Sequence, residues 1–96
     1  MEIIISYDVS TETKEGRRRL RKVAQVCKNL GQRVQKSVFE FSIDEMQLER
    51  IVHRLREIID QEQDSIRIYR LLEPREKYVQ VYGRNLYVDF QKPMVV

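Results

Sequence analysis

The most hydrophobic stretch of this chain, Ile3-Ile4-Ile5-Ser6-Tyr7-Asp8, ends in a carboxylate. A strand that closes on aspartate exposes that group at the rim of a sheet. There it suits Mg²⁺, a hard cation that prefers oxygen, keeps several waters and often takes only one or two carboxylates. Such an ion lowers the pKa of a bound water and clamps a phosphate oxygen. Shortly after Asp8 come Arg17, Arg18, Arg19, Arg21 and Lys22, cations that can hold a phosphate backbone. Asp8 also has a plainer use. The segment Asp8-Val9-Ser10-Thr11-Glu12-Thr13 is rich in side chains that accept hydrogen bonds from nearby backbone N–H groups. Glu12 falls in the expected loop, so one chain offers a single well-placed acid, which is a poor metal site. A two-fold axis that brings Asp8 from two copies together removes the difficulty. The metal reading therefore requires a homodimer.

Charge is distributed unevenly around these residues. Nine Lys/Arg and one acid lie between Lys14 and Lys36, a net +8, while the rest of the 96-residue chain carries −5, for the overall +3. Such a split fits a face for a polyanion, nucleic acid in particular, as well as a solvated helix surface. Length and composition fit one domain over residues 1–96 with a modest core. No apolar run approaches the ~20 residues of a membrane span and no leader pattern opens the chain. With one cysteine, Cys27, there is neither a disulfide framework nor a cysteine metal site. The expectation is a cytoplasmic protein without a membrane partner.

The elements that must position the acid and the cations follow from periodicity. Residues 2–8 predict a strand, apolar on both sides of the pleat and so central in its sheet. Leu20, Val23, Ala24, Cys27 and Leu30 share one face of a helix over 14–30, closed by Gly31 as a left-handed cap. Cys27 lies on that stripe as a small core residue. Val38 to Ile43 alternate as a strand; Arg33 to Gln35 either pair back on it through a tight turn or continue it as one bent strand. Ser42 and Glu45 match a capping box ahead of a helix over 44–61, with Leu48, Ile51, Val52, Leu55, Ile58 and Ile59 inward and His53 on the polar side. Residues 64–72 predict a further strand. Two short strands around Gly83 and an apolar tail follow, so 75–96 reads as an extension suited to docking on a partner subunit. The order is that of an α+β, ferredoxin-like β-α-β-β-α-β sandwich with additional C-terminal strands, a fold that hosts many functions.

Walker, GxGxxG, HExxH and GxSxG motifs are absent, and Ser37-Val38-Phe39-Glu40-Phe41-Ser42-Ile43 does not match an RNA-recognition RNP motif. What the chain does carry is Tyr7-Asp8 after an apolar strand, a basic helix, Gly31-x-Arg33-Val34-Gln35-x-Ser37-Val38-Phe39-Glu40, and Arg67-x-Tyr69. In this order and over nearly its whole length it resembles the CRISPR-associated protein two family, the small core subunit of the spacer-acquisition machinery in antiviral defence. The resemblance implies a ferredoxin-like homodimer whose C-terminal strand crosses onto the partner's sheet. It implies a magnesium-dependent endonuclease acting on single-stranded RNA or double-stranded DNA, with Asp8 as the metal ligand. Tyr7, Arg33 and Phe39 match positions in or near the family's active site, and the first-helix cations correspond to some of Arg17, Arg18, Arg19 and Arg21. It also implies a complex with the CRISPR integrase subunit, in which the dimer scaffolds the DNA to be inserted. Where some members carry a second acid after the aspartate, this chain has Val9 and Ser10. The two alternatives to a nuclease are a DNA-binding adaptor in the integrase complex, which need not use Asp8, and a ribonuclease toxin of the same fold.

Overall fold

The computed structural model describes residues 1–84. Strands β1 (Glu2–Asp8), β2 (Gln32–Gln35), β3 (Val38–Ser42) and β4 (Ser65–Leu71) alternate with helices α1 (Lys14–Leu30) and α2 (Glu45–Ile58), and a short 3₁₀ turn spans Arg75–Lys77. The sheet runs β2-β3-β1-β4, every neighbouring pair antiparallel. This is the expected ferredoxin-like arrangement, with β1 in the interior of the sheet. No helix among the described residues is long and apolar enough to cross a membrane.

The pleat sorts β1 into two faces. Ile3, Ile5 and Tyr7 are buried with Phe39 and Phe41 of β3 against Val23 and Cys27 of α1 and Leu48, Ile51 and Leu55 of α2. Burying each large apolar side chain of this kind contributes about 1.5–3 kcal/mol. Glu2, Ile4, Ser6 and Asp8 alternate with them and look away from the helices. The stripe read on α1 is narrower than its periodicity predicts: Val23 and Cys27 are buried, while Leu30, at the last turn, is half exposed. α2 ends at Ile58, three residues short of the expected boundary.

Three expectations are corrected, and one choice left open, between a hairpin and a bent strand over 33–43, is decided. Gly31 is extended (φ −110°, ψ 170°), not left-handed; it is glycine because a Cβ would collide with the Phe41 ring. The capping box of α2 is formed by Asp44 and Gln47: the Gln47 amide donates to Asp44 Oδ1 (2.8 Å) and the Asp44 amide to Gln47 Oε1 (3.1 Å). Ser42 is engaged elsewhere, as the last residue of β3 opposite Glu2. The segment 33–43 is a hairpin and not one bent strand, turning at Lys36-Ser37, with its register slipping between Arg33 and Gln35. Finally, residues 78–82 form no strand. Tyr78, Val81 and Tyr82 stand exposed outside any strand, and Gly83 (φ 84°) turns the chain. The second expected strand and the apolar tail lie outside the described residues.

Candidate nucleic-acid and metal site

Asp8 ends β1 with its side chain exposed, on the helix-free face of the sheet. Its carboxylate bonds no other described side chain or backbone group, and the local duties open to it are discharged by others. Thr13 caps α1, its Oγ1 accepting from the Gly16 amide at 3.0 Å. The Ser10 amide donates to Asp64 at 3.0 Å. Of the two uses the sequence allows, capping therefore falls to other residues, and Asp8 is left available to a ligand.

Beside it a cleft of about 400 Å³ opens between the end of β1, the middle of α1 and the β2–β3 turn. Tyr7, Val9, Leu20 and Ala24 give it apolar walls; Arg21, Arg33 and Lys36 give it charge; Asp8 and Ser37 complete its lining. The turn is fixed against β1 by the Tyr7 amide, which donates to the Ser37 carbonyl at 3.1 Å. The register slip in β2 lies just before this turn, and such bulges bend a strand and re-aim its side chains.

Tyr7, Arg33 and Phe39 are brought together in one stack. The Arg33 guanidinium carbon lies 5.0 Å from the centre of the Phe39 ring, and Phe39 stacks on Tyr7 at 6.2 Å with 24° between planes. Phe39 is fully buried, so it touches no ligand itself and acts on the cleft through its two neighbours. The cation–π contact holds Arg33 at the wall.

The five first-helix cations divide. Arg18, Arg21 and Lys22, spaced by three and four, share one exposed flank of α1 next to the cleft. Arg17 donates to the Thr11 carbonyl at 3.2 Å. Arg19 points elsewhere: its Nε donates to Asp64 Oδ2 at 2.8 Å, and its side chain is only 17 % exposed. It is engaged internally and stands apart from the cationic flank.

Sequence reasoning passed over Lys36, Arg67 and Asp64. Arg67 faces Ser6 across the β1–β4 ladder, on the same face as Asp8 and diagonal to it, with its guanidinium 5.7 Å from the centre of the Tyr69 ring. Diagonal neighbours on a sheet lie within reach of long side chains, and the Arg67-x-Tyr69 spacing was the signal available for it. His53, 81 % exposed beside Glu57, and the buried Cys27, whose thiol burial pushes up to about 12, take no part in the site. Among the described residues of one chain, no three His, Cys, Asp or Glu side chains gather as a metal cluster.

The family model described as CRISPR associated protein Cas2 matches residues 1–79. Over its full length the chain is 62 % identical to the whole of a protein of Moorella thermoacetica named CRISPR-associated endoribonuclease Cas2 1. It is 44 % identical to the CRISPR-associated endonuclease Cas2 of Halalkalibacterium halodurans, over 99 % of each chain. The crystal structure of Streptococcus pyogenes Cas2 at pH 6.5 superposes on it with a TM-score of 0.78 at 48 % identity, covering 86 % of this chain and 100 % of that one. With the strand order, the cationic helix and the strand-end aspartate all in place, the chain belongs to the CRISPR-associated Cas2 family.

Proposed function

We propose that this chain is a magnesium-dependent endonuclease. It works as a homodimer that hydrolyses phosphodiester bonds of single-stranded RNA or duplex DNA, and it serves the acquisition of foreign spacer DNA alongside an integrase subunit. The observation that carries the reading is the unengaged Asp8 carboxylate at the rim of the sheet, flanked by the cationic cleft. The nuclease names of its relatives support the same class of reaction.

A lone hard carboxylate fits Mg²⁺ but fills only part of its shell, so Asp8 from each of two copies would hold the ion. Two features favour such pairing. β4 is an edge strand among the described residues and carries the exposed Ile68 and Tyr69. A groove of about 320 Å³ runs beside it, with Val52, Leu55, Ile59, Ile66 and Ile68 among its walls. When bound, the ion would supply a water of lowered pKa and charge for the phosphate oxygens. The chain's own residues do the rest. Asp8 fixes the position of the hydrolytic centre. Arg33, braced on Phe39, and Arg21 and Lys36 neutralise the phosphates leading to it. Arg67 does so on the open face. Asp8→Asn, which keeps shape and removes the ligand charge, tests this. It abolishes cleavage in Mg²⁺ and leaves the dimer's mass intact; equal cleavage by both proteins would show that the activity belongs to other residues or to a contaminant.

A second, compatible reading is a DNA-binding scaffold, favoured by the flank of Arg18, Arg21 and Lys22, which is exposed independently of Asp8. Affinity for duplex DNA should then fall with salt at a log–log slope of about −0.9 per phosphate neutralised. Reversing charge at Arg18 and Lys22 should weaken binding to all sequences alike and flatten the slope. A binding constant indifferent to salt would remove this flank from the interface.

A further inference from the structure

Among the described residues Asp64, just before β4, is the buried acid, and its carboxylate is fully enclosed. Four donors converge on it. The Ser10 amide reaches Oδ1 at 3.0 Å and the Asp60 amide reaches Oδ2 at 2.9 Å. Arg19 spans both oxygens, Nε to Oδ2 at 2.8 Å and Nη2 to Oδ1 at 3.4 Å. Burial alone pushes the Asp64 carboxyl up, but the hydrogen bond from Arg19 and those from the Asp60 and Ser10 amides outweigh it and hold it below its ordinary 3.8. The group is therefore an anion at neutral pH.

What these bonds connect matters more than their strength. Ser10 is two residues past Asp8. Ser65, which follows Asp64, is the residue paired with Asp8 across the β1–β4 ladder. Arg19 lies on the second turn of α1. One side chain thus joins the exit of β1, the strand beside Asp8 and the helix that carries the cationic flank. The loop between is held at further points: Gly16 packs so closely on the Ser10 carbonyl that a Cβ would collide with it, Arg17 donates to the Thr11 carbonyl, and Thr13 caps the helix. A metal ligand in a preformed site must be held to a fraction of an ångström by groups that do not touch the ion.

We propose that Asp64, acting with Arg19, is a positioning residue for Asp8: it fixes the backbone on both sides of the strand-end carboxylate and sets α1 against it. The proposal rests on the nuclease reading. It makes Arg19 a part of the scaffold and not of the phosphate grip, and it gives this chain's first-helix arginines two separate jobs.

The test uses the full-length dimer and compares wild type with Asp64→Asn, Arg19→Lys and Arg19→Gln, each well below its own melting temperature. Asp64→Asn puts a donor where an acceptor is needed. It is expected to lower kcat for cleavage by about 10–100-fold, as losing a support of a metal ligand does, with KM for the nucleic acid within about twofold. Amide exchange at Ser10 should become faster in the same variant. Arg19→Lys, which keeps the charge, should recover part of the rate lost in Arg19→Gln. Glu45→Gln, which breaks a surface ion pair remote from the site, should change neither reading. Should Asp64→Asn not fold, Arg19→Gln leaves the carboxylate and its two amide donors in place and carries the same expectation in kcat. Wild-type kcat in Asp64→Asn, with only a lower melting temperature, would overturn the proposal and leave Asp64 as a loop cap. A wild-type protein that never cleaves in Mg²⁺ would end the nuclease reading itself and the positioning role with it; unchanged Ser10 exchange in Asp64→Asn would instead refute the latch while leaving the nuclease untouched.

Discussion

Two aspartates stand next to each other across the β1–β4 ladder, one at the end of β1 and one just before the start of β4, and the fold treats them in opposite ways. Asp64 is enclosed, accepts from two backbone amides and a guanidinium, and ties three elements together. Asp8 is exposed, and its carboxylate takes no partner among the described residues. Charge and side-chain length are the same; the difference is in solvation and partners. A carboxylate with all its lone pairs satisfied has none left for a cation, whereas one left open at the rim can still offer its oxygens to one. The proposed reading gives architecture to Asp64 and chemistry to Asp8, and variants can break that division.

The largest expected effect is on cleavage. Asp8→Asn should cost more than the roughly 100-fold upper range of a supporting residue, and it should leave the melting temperature within about 2 °C, because no hydrogen bond is lost. Cleavage and calorimetry on the same preparation check both halves. A large drop in stability would mean that Asp8 is a structural group after all.

Next in size is the stability of the Asp64 variant. Asp64→Ala strands two amides and the Arg19 guanidinium without an acceptor, which should cost about 3 kcal/mol and lower the melting temperature by roughly 10–20 °C for a domain of this size. Asp8→Ala, measured alongside, should cost little. Equal losses in the two variants would erase the distinction between the two acids.

That one acid was legible from the sequence and the other was not has a physical reason. Asp8 announces itself by local context, a carboxylate closing an apolar run, and the bounds of β1 and α1 follow from periodicity just as directly. Asp64 matters only through Arg19, 45 residues away, and Ser10, 54 residues away. No spacing rule reaches that far. The same limit explains Gly31, whose glycine is demanded by Phe41 from another strand, and Lys36, which joins the cleft only once the hairpin has closed. The α2 cap was misplaced for a neighbouring reason: Ser42 satisfies the local motif, but strand pairing with Glu2 claims it first. Arg33 and Phe39 were legible only through the family likeness, and their stack is a product of the β2–β3 register.

The comparison also has a signature in pH. Since the folded Asp64 carboxyl lies below its ordinary value, the unfolded chain binds that proton first on acidification. Its stabilisation is fully present above the unfolded pKa of about 4 and is lost as pH falls through the folded value. The gap in melting temperature between wild type and Asp64→Asn should therefore hold steady from neutral pH down to about pH 5 and narrow below about pH 4. A gap that stays constant down to the acid limit would show that the carboxylate's charge is not what holds the three elements.

The smallest effect comes from an ion pair that looks stronger on distance alone. Arg70 Nη1 lies 2.6 Å from Glu45 Oε1, closer than Arg19 to Asp64, and the second nitrogen reaches the other oxygen at 3.3 Å. Both side chains are about three-fifths exposed. Water and salt compete for each charge, and ordering two long side chains offsets the attraction. The Arg70 hydrogen bond does hold the Glu45 carboxyl below its usual range, but a pair that solvent can replace transmits little of this to folding. Glu45→Gln should shift the melting temperature by less than about 2 °C at physiological salt, and by somewhat more at low ionic strength, where screening is weaker. If it instead matched the loss in Asp64→Asn, enclosure would not be what separates a carboxylate that builds the fold from one that merely decorates it, and the contrast between Asp64 and Asp8 would need another cause.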